Sequence, residues 1–470
     1  MTKTQNFDVV IIGSGSAGFS AAEAARALGA SVCLIEKDKF GGECPNYACI
    51  PSKAWLKAAK VYRSAKQSRE YGVSCQGIGV DFEAMVKYRE KVVSSITGGA
   101  HGERYQKIAQ QLNITLIIGS AALIDEHTLE VGHTLIKGKS LIIATGTVDY
   151  LPPISGLDQA HFLGWKQALL QKRQPKSMAI IGGGAVGSEL ATFFGTLGTR
   201  VLLFEFTPTI LPKEDEELAR LAHQALKTHN VEVFGSARIL EVIDGRGGVY
   251  GLKVEQGGAV QTHAVEQVVV AAGRRSNVAD LNLESTGVAL DDRQTIKTDD
   301  EQRTNVRHIF AAGDVDGGLQ LTHTAHREGA VAGHNAALQA LGKRAEKMKS
   351  DLRVVPRVTF VDPEVASVGQ TSQELKAKMG QLLVGRYAIA NLGRAVTDNQ
   401  KQGLVKIIAH PKTRKILGCH IMSPHAGEMI HEAALAMHLN TTVDKLGSLI
   451  HAFPTYSEAL MAAANSVELE

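Results

Sequence analysis

Long apolar runs, an excess of one charge and cysteine are all scarce in this chain, and each scarcity removes a class of protein. No stretch approaches the ~18 uncharged apolar residues of a membrane span. The start Met1-Thr2-Lys3-Thr4-Gln5-Asn6-Phe7 carries no apolar leader core before the first strand. A cytoplasmic protein is the expectation. Lys and Arg total 51 and Asp and Glu 48, so the formal charge of +3 leaves no electrostatic footprint for nucleic acid or a membrane surface. The one basic run, Lys343, Arg344, Lys347, Lys349, Arg353 and Arg357, reads as a solvated connection. Five cysteines (Cys33, Cys44, Cys49, Cys75 and Cys419) are few and odd in number, unlike a secreted disulfide framework. Cys33 falls in Val32-Cys33-Leu34-Ile35, where a buried small side chain is the default. What is present is ample: 470 residues, 44% of them apolar, predict about three domains with sizeable cores.

Two of the cysteines lie in Gly41-Gly42-Glu43-Cys44-Pro45-Asn46-Tyr47-Ala48-Cys49-Ile50-Pro51-Ser52-Lys53. On a regular helix their spacing rises ~7.5 Å and turns to another face. That exceeds the roughly 7 Å a disulfide can bridge without backbone movement. A bond between them would distort the turn that carries it, and a strained disulfide is more easily reduced. The spacing disfavours a structural staple and leaves a redox pair or a soft-metal site.

Val9-Val10-Ile11-Ile12 reads as a buried parallel strand, followed by Gly13-Ser14-Gly15-Ser16-Ala17-Gly18, a helical run from Phe19 to Leu28, and a second strand ending at Glu36. Glycines permit the tight turn and the approach of backbone to a pyrophosphate at the helix N-terminus. The acid at the end of the second strand accepts from a ribose hydroxyl. The arrangement returns at Met178-Ala179-Ile180-Ile181, with Gly182-Gly183-Gly184-Ala185-Val186-Gly187, a helix, and Val201-Leu202-Leu203-Phe204-Glu205. Two dinucleotide sites predict two cofactors, one retained and one exchanged.

The cysteine segment resembles the active-site motif of the flavoprotein disulfide reductases, the family of lipoamide dehydrogenase, glutathione reductase and mercuric reductase. The family pattern is Gly-Gly-Thr-Cys, four residues, Cys, then Pro-Ser-Lys; here Glu43 stands for the Thr and Ala48 for a common Gly. The resemblance extends along nearly the whole chain. It implies an α/β fold with two Rossmann-like nucleotide-binding domains, for FAD and NAD, plus a C-terminal α+β dimerisation domain. The boundaries expected are 1–149 and 274–347 for the FAD-binding domain, 150–273 for the NAD-binding domain and 348–470 for the interface domain. One tightly bound FAD per chain is assigned to Gly13, Ser14, Gly15, Ser16, Ala17, Gly18 and Glu36, with Gly42, Lys53, Thr145, Gly146, Gly313, Asp314, Leu321, Thr322 and His323. The exchangeable nicotinamide nucleotide falls to Gly182, Gly184, Gly187, Glu205 and Gly273. Ala271-Ala272-Gly273-Arg274 resembles a domain-closing turn. His323 and His326 also form an HxxH, for which backbone and packing roles are expected, and no metal site is assigned.

In the family the nicotinamide reduces the flavin and the flavin reduces the disulfide. The resemblance makes Cys49 the flavin-facing thiolate and Cys44 the interchange thiol. It also makes Lys53 the lysine near flavin N5 and Glu189 its acidic partner. Glu205, followed by Phe206-Thr207-Pro208-Thr209 with no Arg or Lys, favours NADH over NADPH. The relatives are two-fold dimers in which the partner's C-terminal loop completes the active site, and the apolar helix from Glu428 to Leu439 fits either an interface or a core.

The C-terminal motif departs from the pattern. Disulfide reductases carry His-Pro-Thr, two residues, then Glu; this chain reads His451-Ala452-Phe453-Pro454-Thr455-Tyr456-Ser457-Glu458. Phe453 occupies the acid–base His position, and a phenyl ring transfers no proton. His451 matches an additional His of some lipoamide dehydrogenases, and Glu458 keeps the orienting-acid position. Mercuric reductases also lack that His, but they add a C-terminal cysteine pair, and no Cys follows Cys419 here. The reading is a homodimeric, FAD-containing, NADH-using oxidoreductase with a small-molecule acceptor that is atypical. Its alternatives are a dihydrolipoamide dehydrogenase using His451, and, from another class, a flavin-loaded redox sensor or partner-binding protein.

Overall fold

The computed structural model describes residues 3–245 and 247–470. It divides into two compact units, one of residues 1–54, 86–150 and 274–352, the other of residues 55–85, 151–273 and 353–470.

The first unit is built on strand β1 (Lys3–Ile12). Helix α1 (Ser16–Ala27) and strand β2 (Val32–Glu36) follow it, and β2 pairs in parallel with β1 in the register Val9↔Val32 to Ile12↔Ile35. On the other side of β1 runs the strand Thr134–Ile143, which also accepts Ile309–Ala311 in parallel along its second half. Alternation decides which face each side chain serves. Val9 and Ile11 pack with Ala21, Ala22 and Ala25 of α1, whereas Val10, Ile12, Cys33 and Ile35 pack on the opposite face with Leu141 and Leu281. A sheet covered on both faces needs near-continuous apolar strands, which is why these segments do not alternate with polar residues. Cys33 is fully buried there.

The second unit holds a parallel five-stranded sheet in the order Val231–Phe234, Arg200–Phe204, Ser177–Ile181, Gln267–Val270 and Leu163–Gly164. A three-stranded antiparallel meander spans Ala237–Asp244, Tyr250–Gln256 and Ala259–Val265. Its C-terminal third is a six-stranded sheet in the order Arg357–Thr359, Glu364–Gly369, Ile416–Ser423, Leu404–Ala409, Leu383–Ala388 and Glu468–Leu469. The helix expected near 428–439 forms as Ala426–His438. Met429, Ile430, Ala433 and Met437 enter the core, while Leu435 and Leu439 stay exposed on its far edge.

Within this unit a buried ion cluster ties the helix Glu216–Leu226 to that sheet. Lys406, in mid-strand and only 4% exposed, donates to Asp215 Oδ1 at 2.8 Å and lies 3.1 Å from Glu217 Oε2. Asp215 also caps the helix, accepting from Glu217 N, and receives Ser372 N at 3.0 Å. Burial pushes Asp215 up, but Lys406 and the other donors bring it down to about 2. The basic run read as a solvated connection is instead pinned: Lys343 donates to Leu28 O, Lys347 and Lys349 pair with Glu301 and Asp300, and Arg357 pairs with Glu214.

Candidate active site

The two glycine-rich turns are built alike. Gly13 and Gly182 adopt φ of +102° and +109°, and a Cβ there would strike the carbonyl of Ala144 or Ala271 at 2.3 and 2.4 Å. A Cβ on Gly18 or Gly187 would fall 1.8 or 1.9 Å from the oxygen of Gly13 or Gly182, so both helices must start pressed onto their strands. Between them Gly15 and Gly184 meet nothing within 4 Å. Each is the N-cap of its helix (α1, and Ala185–Thr196) without a side-chain cap. Each turn therefore keeps helix-terminal N–H groups without a side-chain acceptor beside open space, which fits a pyrophosphate.

The acids sit where a ribose would need them. Glu36 Oε2 accepts from Ser14 N and Oγ at 2.9 and 2.7 Å, and Glu205 Oε2 accepts from Gly183 N at 2.7 Å. Glu205 Oε1 accepts from Thr207 N and Oγ1, both at 2.8 Å. A carboxylate offers about four acceptor positions, so each acid retains capacity for a hydroxyl. Gly273 closes the second site with φ +136°.

The other residues expected at a flavin lie in the first unit. Thr145 Oγ1 and Thr324 Oγ1 are buried and have no protein partner among the described residues. Both fall in or beside segments expected at the flavin, where a bound ligand would supply the partner each lacks. Gly146 follows Thr145 in the left-handed region at φ +66°. Asp314 Oδ2 accepts from Thr147 Oγ1 at 3.3 Å, and burial raises its pKa although Arg274 opposes the shift. Gly313 N donates to Glu328 Oε2 at 2.9 Å. Burial lifts Glu328 to about 8 and Asp316 to about 6. Leu321 is the N-cap of the helix Thr322–Ala340, which carries Thr322 and His323 in its first turn and has no side-chain cap. These residues fit an FAD.

The thiol turn answers the spacing problem by not being a regular helix. Helix α2 (Glu43–Asn46) lasts one turn, and Tyr47 N and Ala48 N both return to Glu43 O at 2.8 and 3.0 Å. Asn46 Nδ2 braces the turn against Gly42 O at 2.8 Å. Helix α3 (Cys49–Gln67) then starts afresh, with Pro51 in its first turn, where a missing N–H breaks no intrahelical bond. Gly42 packs so closely on the first dinucleotide turn that a Cβ would lie 2.5 Å from Gly15 Cα.

Both side chains are thiols here, and Cys44 is hydrogen-bonded to Cys49. Cys49 Sγ lies 3.5 Å from Thr322 Oγ1. The bond to Cys49, then burial, raise the Cys44 pKa, and the Lys53 charge only partly offsets them. Sequence reasoning missed what holds Glu43: its carboxylate pairs with Arg274 Nη2, whose Nε donates to Thr147 Oγ1 at 2.6 Å. The unusual Glu43 was the only available signal.

The remaining expected residues lie in the second unit. Glu189 is buried and its Oε1 accepts from Phe360 N at 3.0 Å. His451 is turned onto Glu432, with Nε2 2.8 Å from Oε1 and Nδ1 3.1 Å from Leu449 O. Glu458 Oε2 accepts from Thr455 N at 2.8 Å. Phe453 projects outward, 81% exposed.

Comparison with known proteins agrees with this geometry. Residues 7–329 match the pyridine nucleotide-disulphide oxidoreductase family, and residues 355–464 match the dimerisation domain of that family. A dihydrolipoyl dehydrogenase of Bacillus subtilis is 33% identical over 97% of both chains. A mercuric reductase of Lysinibacillus sphaericus is 33% identical over 98% of this chain and 82% of its own length. The solved Cu(II) complex of the HOCl-induced flavoprotein disulfide reductase RclA from Escherichia coli superimposes with a TM-score of 0.85 at 26% identity, covering 98% of this chain and 99% of that one. The chain belongs to the pyridine nucleotide-disulphide oxidoreductases, enzymes that depend on FAD and use a nicotinamide nucleotide. Its α/β nucleotide-binding part is followed by a dimerisation domain, and no helix among the described residues is long and apolar enough to cross a membrane.

Proposed function

We propose that this chain is an NADH-using member of the family whose Cys44–Cys49 pair serves an acceptor other than lipoamide or glutathione disulfide. The observation that carries the reading is Phe453, exposed at the position where the family keeps its acid–base His. FAD, when bound, supplies the relay of electrons between the nicotinamide and the disulfide of Cys44 and Cys49. The protein's residues do the rest: the Gly13–Gly18 turn, Glu36 and Asp314 hold one nucleotide, and the Gly182–Gly187 turn and Glu205 the other. Lys53 and Glu189 are assigned the supporting ion pair that the family resemblance implies.

Attack on a disulfide substrate needs Cys44 deprotonated and the leaving thiol protonated. The bond to Cys49 and burial raise the Cys44 pKa, so the step is helped by an external base. Phe453 offers none, and general acid–base help is worth about 10²–10⁴ in rate. Glu458 is turned to its own loop, and His451 would have to leave Glu432 to substitute. Dihydrolipoamide dehydrogenase with His451 as acid–base is the second reading, supported by the names of the sequence relatives. An acceptor without a leaving thiol, such as a quinone or a metal ion, escapes the second half of that requirement, although the pair still gives up its protons as it returns to the disulfide, and the relative solved with Cu(II) supports testing that class.

The same reading takes the protein as a cytoplasmic homodimer whose active site is completed by the partner's C-terminal loop. It keeps the domain boundaries 1–149, 150–273, 274–347 and 348–470. The test is an acceptor panel with NADH: lipoamide, glutathione disulfide, quinones, Hg²⁺, Cu²⁺ and small oxidised sulfur species. Turnover led by lipoamide would overturn the reading.

A further inference from the structure

We propose that Glu43 and Arg274 form a charge clamp on the thiol turn, which makes Glu43 a positioning residue for Cys44. The inference rests on the reading of Cys44 as the interchange thiol. Glu43 immediately precedes Cys44 and serves the turn twice. Its carbonyl closes the break between α2 and α3 by accepting from Tyr47 N and Ala48 N. Its carboxylate reaches a residue 231 positions away in the chain, Arg274. Arg274 is held in turn: Nε donates to Thr147 Oγ1 at 2.6 Å, and the strand Arg274–Ser276 pairs antiparallel with Thr147–Asp149. Thr147 passes the contact on to Asp314 Oδ2 at 3.3 Å. A continuous line of polar contacts thus runs from the residue beside the thiol to the acid of the flavin site.

The groups facing Cys44 are Cys49 and Lys53 on α3, Thr322 at the head of the helix Thr322–Ala340, and Tyr105 on the helix Glu103–Gln111. Glu43 and Arg274 are opposite charges paired beside the turn, Asp314 faces both of them, and the charged groups acting on the sulfur include Cys49 and Lys53. Both clamp side chains are partly shielded, at 35% and 23% exposure. A change of one charge in this group, a residue away from the thiol, should move it by about 0.5–1 pH unit, or about three- to tenfold in thiolate.

The experiment follows carbamidomethylation of Cys44 by iodoacetamide against pH in the NADH-reduced holoprotein, read by fragment mass spectrometry. Bound-flavin absorbance serves as the check on folding. Glu43→Gln leaves Arg274 positive beside the turn and is expected to shift the profile to lower pH, with about three- to tenfold faster labelling at neutral pH. Arg274→Gln leaves Glu43 negative and is expected to shift it to higher pH. The double variant should return towards the wild type, and Arg274→Lys, which keeps the charge, should lie near it. A merely structural brace would loosen the turn in both single variants and move both profiles the same way. That outcome, or two unmoved profiles, overturns the proposal. No acceptor is used, so the result stands apart from which substrate the enzyme reduces.

Discussion

Replacing Phe453 by His should restore disulfide turnover, and its size can be worked from the loop as it stands. A positioned acid–base group is worth about 10²–10⁴. Glu458, which would orient the new imidazole, is engaged with Thr455 N. A charge-assisted hydrogen bond of this kind contributes ~1.5–3 kcal/mol. Losing it would offset about ten- to a hundredfold, but a carboxylate has about four acceptor positions, so Glu458 can keep Thr455 N and still receive the imidazole, and the gain in kcat with lipoamide should be about tenfold or more. Phe453 is 81% exposed in the chain, so the exchange itself should alter stability by no more than about 0.5 kcal/mol. The assay is NADH oxidation with lipoamide beside NADH oxidation with a quinone, each across pH. The first should rise and gain a limb near the ordinary imidazole pKa of ~6.5; the second should not change, because hydride transfer from NADH needs no proton from this loop. Unchanged lipoamide turnover in Phe453→His would refute the reasoning. So would a large loss of existing lipoamide turnover in His451→Ala, which would show that His451 leaves Glu432 and performs the step.

Three further outcomes are expected. One equivalent of NADH should produce long-wavelength charge-transfer absorbance, and Cys49→Ser should abolish the band while retaining the flavin; a surviving band would mean that Cys49 is not the flavin-facing thiol. Stopped-flow flavin reduction should be at least about tenfold faster with NADH than with NADPH at equal concentration, because Glu205 would repel a 2′-phosphate; parity would place a phosphate-binding cation elsewhere in the fold. Asp215 is held at about 2 against an ordinary 3.8. A depressed carboxyl stabilises the fold above the unfolded pKa and loses that contribution as pH falls through the folded one, so about 2 kcal/mol should disappear between pH ~4 and ~2. Denaturant titrations of the wild type against Asp215→Asn/Lys406→Met should show it, and parallel pH curves would exclude it.

The sequence made the nucleotide-binding architecture legible because its determinants are local. A strand, a glycine turn and a helix occupy one short window, and the same steric demands that place Gly13 and Gly18 place Gly182 and Gly187. Apolar periodicity likewise exposed the helix at 426–438, apart from its two-residue boundary. The break between α2 and α3 was not legible, because spacing was judged on an unbroken helix and nothing in Tyr47-Ala48 announces two N–H groups returning to Glu43 O. Pairings at long range were hidden for a different reason. Arg274 read as the end of a turn motif, and local pattern assigned nothing to Lys406 or Glu432, while the partners of the three lie 231, 191 and 19 positions away. Only the folded chain brings those charges together.

The proton, more than the electrons, divides the possible acceptors. In the thiol turn the bond to Cys49 and burial raise the Cys44 pKa and so favour its thiol, against the Thr322 hydrogen bond and the Lys53 charge. A disulfide acceptor needs that proton removed and another delivered, so it requires a group that changes protonation state near neutral pH. In the C-terminal segment Phe453 has no titratable atom, Glu458 accepts from Thr455 N of its own loop, and His451 has both ring nitrogens engaged. Two departures from the family pattern, Glu43 beside the thiol and Phe453 in the loop, therefore bear on the same quantity. The first adds a charge whose cancellation depends on Arg274, and the second removes the base that would have offset a protonated Cys44. Under the proposed reading, both departures favour acceptors that need no proton delivered to a leaving sulfur.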